Sequence, residues 1–276
     1  MLGAIIGDVV GSVYEFHNTK TKDFPLFSKK SCFTDDTILT CAVAEWLIAP
    51  QKNNPADFLK KWGVLYKDRT YEDGKVSAFG KGFSNWLETG IAPNSKTNGC
   101  VMRISPVFAL KSYEQALEKA LEITKVTHNH QESLTAVAAY VKAGFMLKDK
   151  ASPQMIKNEI SHSFGYDLSK SADEIRPDYN KFYCSCKNSI PQAMICALDA
   201  KSFEDAIRTA VSLGGDSDTL AAMAGGLAEQ HFGVPNNLKT QVMPHLDSRI
   251  KSAVQNFYAY ENKFVMQKYA AGKQCR

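Results

Sequence analysis

The sequence predicts an all-α protein built around one core, and three observations carry that expectation. Apolar residues recur at helical spacing along most of the chain, and no alternating run of β-branched residues is long enough to anchor a sheet. No Pro/Gly/Ser linker or low-complexity segment divides the 276 residues. That length is near the upper size of a single hydrophobic core, so one domain over residues 1–276 is expected.

Taken in order, the chain opens with Gly3, Gly7 and Gly11, four residues apart in an apolar run, which on a helix stacks them on one side. A Gly inside a helix costs up to about 1 kcal/mol against Ala, so three in a row call for a packing reason, the close approach of two helix backbones. A similarly small surface recurs late in the chain at Ala221, Ala222, Ala224, Gly225, Gly226 and Ala228. Ile38 to Ile48 is the next apolar helix. Asn54 caps a helix from Pro55 to Arg69, with Phe58, Leu59, Trp62, Leu65 and Tyr66 on one face. Ser112 to Thr127 and Ser202 to Leu213 repeat the scheme behind Ser caps, and Glu132 to Leu147 keeps the same period. Ile190 to Leu198 is expected to carry Pro191 in its first turn, Leu220 to Glu229 bears the small residues, and Arg249 to Tyr260 closes the series of ten or so helices. Asp68 to Asn98 and Ser161 to Asn188 lack a clear period and read as long functional loops.

Composition narrows the function. With 33 Lys plus Arg against 29 Asp plus Glu, the formal charge is only +4, and no run of five like charges offers a footprint for nucleic acid. No segment approaches the roughly 20 apolar residues of a membrane span. The N-terminal segment lacks a basic start and carries Asp8, unlike a secretory signal. Seven cysteines, an odd number in a chain able to build its own core, read as reduced thiols and point to the cytoplasm. Cys184 and Cys186 are too close for the usual zinc-ligand spacing.

Two acidic clusters carry the chemistry. Thr34-Asp35-Asp36-Thr37 precedes one helix, and Gly214-Gly215-Asp216-Ser217-Asp218-Thr219 precedes another. Either alone is accounted for as a helix cap. Together they supply four carboxylates and several hydroxyls, a concentration of negative charge that is costly unless cations neutralise it. If the two helix starts meet, the set is all oxygen, which suits Mg²⁺, Mn²⁺ or Ca²⁺ and argues against zinc. The glycine pair lets the chain turn sharply before the ligands.

The ordered set of Gly7-Asp8 with Gly11 and Glu15, Thr34-Asp35-Asp36-Thr37, Asn98-Gly99 with Met102-Arg103, Thr127-His128, and Gly214 to Thr219 closely resembles the ADP-ribosylglycohydrolase family. The resemblance runs from about Leu2 to Pro235. It implies an all-α orthogonal bundle with a central cleft holding a binuclear Mg²⁺ centre, with Mn²⁺ as a substitute. Carried over by position, Thr34, Asp35, Asp36, Asp216, Asp218 and Thr219 are the implied metal ligands. Glu15 matches a glutamate near the end of the first helix that approaches the metals and the distal ribose. Asn98, Gly99, Cys100, Val101 and Met102 match a loop whose amides hold the diphosphate and ribose, and His128 opens a second loop of the same cleft.

The resemblance thus implies a hydrolase that removes ADP-ribose from a modified protein, arginine-linked by the bacterial-type wording, with serine-linked ADP-ribose or another ADP-ribosylated small molecule or base as alternatives. Asp36, Asp35 and Glu15 are the candidates for the proton-handling carboxylate. The sequence departs from the family at Thr97, where a further Gly is common, at Cys100, and at Gln131-Glu132-Ser133. His128 is equally accounted for as a satisfied buried histidine, and His130 as a surface one. Phe164, Tyr166, Tyr179 and Tyr183 read more readily as packing than as a stack for adenine. The isoprenyl diphosphate synthases are a poor match, since Asp35-Asp36-Thr37-Ile38-Leu39 puts Leu where their last Asp belongs. A catalytically silent ADP-ribose-binding protein is the alternative of a different class.

Overall fold

The N-terminal apolar run forms α1 (Leu2–Gly11), and every residue of it is buried. The computed structural model describes residues 1–50, 53–70 and 79–273, those from 263 onward as backbone alone. Against α1 lies α11 (Ser217–Phe232), buried from Ser217 to Ala228. A Cβ on Gly7 would stand 2.0 Å from the Ala221 carbonyl oxygen, and one on Gly3 would stand 2.3 Å from that of Gly225. Neither neighbour is a side chain that could swing aside. The two stripes of small residues therefore pack on each other, and this contact forms the centre of the fold.

The remaining helices surround that pair. α2 (Asp35–Ile48) packs on α1 and on α3 (Pro55–Tyr66); α5 (Tyr113–Lys125) pairs with α6 (Gln131–Lys148). α9 (Cys186–Leu198) and α10 (Phe203–Leu213) pack on α11, and α13 (Ser248–Lys273) covers α2. One apolar cluster runs through all of them. Among the described residues there is no strand, and Thr97 and Ser185 form an isolated antiparallel bridge. Asn54, Ser112 and Ser202 each accept the capping N–H that the sequence assigns them.

Several boundaries differ from expectation. The stretch Asp68 to Asn98 contains α4 (Lys81–Thr89), ended by Gly90 at φ 72°; its residues 71–78 lie outside those described. α7 (Pro153–Phe164) runs into the second irregular stretch, which also holds the one-turn α8 (Ala172–Ile175) behind a Ser171–Glu174 capping box. Pro191 is inside α9 rather than in its first turn, because Ser185 begins the helix earlier. Only the bond to the Lys187 carbonyl is forgone there, and Pro191 is itself buried. His130 is not an idle surface residue: its ring nitrogen accepts the Glu132 N–H at 3.1 Å and caps α6. After α12 (Asn236–Val242), α13 continues well past Tyr260.

Tyr166 and Tyr179 are buried in the core, and Phe164 and Tyr183 pack against it, as their reading as packing residues anticipated. The six described cysteines are free, while Cys275 lies outside the described residues. Among the described residues no helix is long and apolar enough to cross a membrane.

Candidate metal centre

The close contact of α1 with α11 decides what meets at the site. Gly11 lies so near the start of α11 that a Cβ there would be 2.4 Å from the Asp218 Cα, and the Ser217 hydroxyl donates to the Gly11 carbonyl at 3.1 Å. Asp8, one turn earlier on α1, is thereby held between the starts of α2 and α11. Its buried carboxylate accepts four hydrogen bonds. Oδ1 takes the Thr34 hydroxyl at 2.7 Å; Oδ2 takes the Thr34 and Thr37 N–H groups at 2.9 and 3.0 Å, and the Thr37 hydroxyl.

This arrangement separates capping from ligation. The Thr37 N–H is a donor that the cap residue of a helix normally satisfies, yet Thr34 makes no side-chain cap bond and Asp8 does so in its place. With its proton given to Asp8, the Thr34 oxygen keeps its lone pairs for the site. Asp216 likewise sits at the cap position of α11 without a side-chain cap bond. Its Oδ2 instead accepts the Asn98 side-chain amide at 2.6 Å.

The carboxylates converge. Asp8, Asp36 and Asp218 each bring an oxygen within 4.8 Å of the others, and so do Glu15, Asp216 and Asp218. Asp218 belongs to both groups and joins them. Thr34 and Thr219 turn their hydroxyls to Asp36 Oδ2 at 3.4 and 3.3 Å. Asp36 Oδ1 is buried with no hydrogen-bond partner. A buried anionic oxygen without a donor is costly, and burial first, then the neighbouring Asp8, Asp35, Asp216 and Glu15, hold the Asp36 carboxyl well above its usual range. Burial and the flanking acids do the same to Asp218. Hard, oxygen-only donors with one unpartnered acceptor fit a divalent ion such as Mg²⁺.

Asp35 is half-buried and lies outside those two close groups, although its carboxyl is also pushed up, by burial and then by Asp8, Asp216 and Glu15. Glu15 lies beyond the last turn of α1, half-buried at the solvent side of the cluster.

The predicted amide loop is a 3-10 turn, Asn98–Cys100, moored to the segment before α9. Asn98 N–H donates to the Cys184 carbonyl at 2.7 Å, and Cys186 N–H donates to that of Lys96 at 3.0 Å. The amides of Val101 and Met102 close the turn on the Asn98 carbonyl, so these three are engaged within the protein. Gly99 is the half-exposed residue between buried Asn98 and Cys100. A Cβ on it would meet His128 Nε2 at 3.5 Å. His128 is buried between two hydroxyls, Thr127 at 2.7 Å on Nδ1 and Thr97 at 3.2 Å on Nε2. Burial, with Arg103 nearby, holds it neutral with a pKa of about 3. Its place is behind the turn.

Sequence reasoning missed Asp8 as the organiser and Asn18 altogether. Asp8 left one signal, a charge in the middle of a helix otherwise fit for complete burial. Asn18 left none. Its amide pairs with both polar groups of Gly215, accepting the N–H at 2.8 Å and donating to the carbonyl at 3.1 Å, and it also donates to the Glu15 carbonyl at 3.1 Å. It ties the Glu15 segment to the residue before Asp216. Gly214 and Gly215 adopt φ of 78° and 69°, the left-handed turn expected of them.

Comparison with known proteins follows this geometry. The sequence model of a family described as ADP-ribosylglycohydrolase matches residues 1–263. The ADP-ribosylarginine hydrolase Tri1 of Pseudomonas putida is 26% identical over 271 residues, which span 85% of this chain and 70% of that protein. The ADP-ribosylhydrolase ARH3 of Mus musculus is 23% identical over 85% of this chain and 83% of its own. The ADP-ribosyl-(dinitrogen reductase) glycohydrolase of Rhodospirillum rubrum is 22% identical over 92% and 91%. A solved structure of an ADP-ribosylglycohydrolase-related protein complex shares the fold, with a TM-score of 0.69 at 20% identity over 94% of this chain and 95% of that one.

Proposed function

The chain belongs to the ADP-ribosylglycohydrolase family, and from that premise we propose that it is a Mg²⁺-dependent hydrolase that removes ADP-ribose from modified arginine side chains of proteins. The observation that carries the reading is the unpartnered buried oxygen of Asp36 among the convergent carboxylates of Asp8, Asp216, Asp218 and Glu15. Asp36, Asp216, Asp218, Thr34 and Thr219 would hold two ions, with Mn²⁺ as a substitute, and Asp35 borders them. Bound there, such ions would supply positive charge to orient ribose hydroxyls and to lower the pKa of a water.

The chain's own residues would do the rest. Glu15, half-buried at the edge of the cluster, would take a proton from a water whose oxygen bonds to the anomeric carbon, as the bond from that carbon to the arginine nitrogen breaks and the proton passes to the leaving nitrogen. Asn98 fixes the Asp216 carboxylate, and Asn18 sets the distance between Glu15 and Asp216. Gly99 allows the diphosphate to approach the turn closely, with Cys100, Val101 and Met102 behind it and His128 supporting the turn as a neutral ring. This places the work on backbone dipoles, which accords with the small basic excess of the chain.

A substrate panel tests the reading. Arginine-linked, serine-linked and free ADP-ribosyl compounds are incubated with the protein in Mg²⁺ and in EDTA, and released ADP-ribose is measured. Mg²⁺-dependent release from the arginine-linked protein is expected. Tight ADP-ribose binding without release from any linkage would mean a silent binding protein, and release from serine alone would reassign the linkage.

A further inference from the structure

Two phenyl rings stand exposed beside the carboxylate cluster, although the fold has ample core to bury them. Phe16 follows Glu15 directly and keeps 59% of its surface exposed; Phe182, on the loop before α9, keeps 50%. Their planes are parallel within 2° and their centroids are 6.1 Å apart. The segments that bear them converge on one residue. Asn18, two positions after Phe16, pairs with both polar groups of Gly215, and the Lys181 carbonyl oxygen lies 2.8 Å from where a Gly215 Cβ would stand. Gly215 leads directly into Asp216. The ring pair is thus anchored to the backbone of the site rather than placed at random on the surface, and large exposed apolar groups at the rim of a polar cleft mark a surface that a ligand covers.

The cluster has two flanks. On one, the Asn98–Cys100 turn reaches Asp216 through the Asn98 amide, backed by His128; its polar backbone suits a diphosphate. On the other, Glu15 is followed by the exposed rings. A substrate whose scissile bond sits at the cluster must send its nucleotide to one flank and its leaving group to the other.

We infer that Phe16 and Phe182 form the platform on which the leaving group's guanidinium stacks, and that they set the preference for an arginine linkage. The inference rests on the arginine-hydrolase reading above. A guanidinium is planar, weakly hydrated and stacks on aromatic faces; a serine-linked substrate places no flat cation there.

The test uses the full chain in Mg²⁺, with an arginine-ADP-ribosylated protein as substrate, a serine-ADP-ribosylated peptide as comparison and ADP-ribose as the binding probe. Phe16→Ala and Phe182→Ala are each expected to raise KM for the arginine substrate about two- to fivefold, from the strength of an exposed cation–π contact. The expected kcat, the ADP-ribose dissociation constant and the melting temperature stay as in the wild type. Phe182→Trp keeps a π face and retains the wild-type KM, whereas Phe182→Leu keeps only apolar bulk and behaves as Phe182→Ala. Equal losses on both linkages, weaker ADP-ribose binding, a Leu variant as good as Trp, or no change in KM would each overturn the platform. If the wild type releases nothing from either linkage, the hydrolase reading fails first and this inference falls with it.

Discussion

Asp8 accepts both the backbone N–H and the hydroxyl of Thr37, and so caps a helix to which it does not belong. The same carboxylate takes the Thr34 N–H and hydroxyl. One buried acid on α1 thereby fixes the start of α2 and leaves the Thr34 oxygen turned to Asp36.

Replacing Asp8 tests that cap apart from any metal. Asp8→Asn keeps the shape but turns an amide group toward donors, leaving at least one of them unpaired. Measured by thermal unfolding in EDTA, it is expected to lose roughly 1–3 kcal/mol, a fall of about 2–4 °C for each kcal/mol in a chain of this class. An unchanged melting temperature would show that the cap is dispensable.

The α1–α11 contact makes a second prediction. Gly7→Ala forces a methyl to within 2.0 Å of the Ala221 carbonyl oxygen, so the helices must move apart and carry Asp8 away from Thr37. The variant should be destabilised by about 1–3 kcal/mol, as overpacked cores are. Gly82→Ala is the control, because its methyl would meet nothing nearer than the Pro93 side chain at 3.6 Å. Equal behaviour of the two variants in a melt would contradict the packing argument.

His128 gives a pH dependence with a definite sign. Its folded pKa of about 3 lies below the ordinary 6.5, so the unfolded chain binds the extra proton. Stability is therefore full above 6.5 and is lost as pH falls toward the folded value, by on the order of 1 kcal/mol per pH unit. His128→Gln, neutral at every pH, should flatten that part of the stability curve. A variant that keeps the wild-type slope would show that the proton is taken up elsewhere.

The acidic cluster works in the opposite direction when no metal is bound. Burial and mutual repulsion raise the Asp36 and Asp218 carboxyls well above 3.8, so over that interval the folded chain binds more protons than the unfolded one and stability falls as pH rises. Divalent ions held by these carboxylates would displace those protons. The rise in melting temperature on adding Mg²⁺ should accordingly grow as pH rises above the ordinary carboxylate value of 3.8, and a pH-independent rise would argue against carboxylate ligands.

Much of this architecture was legible because it is written in contiguous residues. The Gly3-Gly7-Gly11 spacing announced a close helix contact, and the two Asp/Thr clusters announced a site, since local period and motif survive without knowledge of the fold. Asp8 was legible as a motif residue and as a charge out of place, but not as a cap, because its two partner residues, Thr34 and Thr37, lie 26 and 29 positions away. Asn18 bonds across 197 residues, a distance over which spacing says nothing. Pro191 misled because Pro is commonest at a helix start, whereas here Ser185, at the cap position six residues before it, had already begun α9. The roles of Asn98 and Gly99 were suggested by the order of motifs, but only the fold brings the Asn98 amide to Asp216.

The central claim is that Asp36, Asp216 and Asp218 hold divalent ions between α2 and α11, and counting those ions tests it most directly. Isothermal titration of the full chain with Mg²⁺, repeated with Mn²⁺, should give two sites, with Asp36→Asn and Asp216→Asn each losing binding while the circular dichroism spectrum stays helical. No binding by the wild type, or unchanged binding in both variants, would contradict the account.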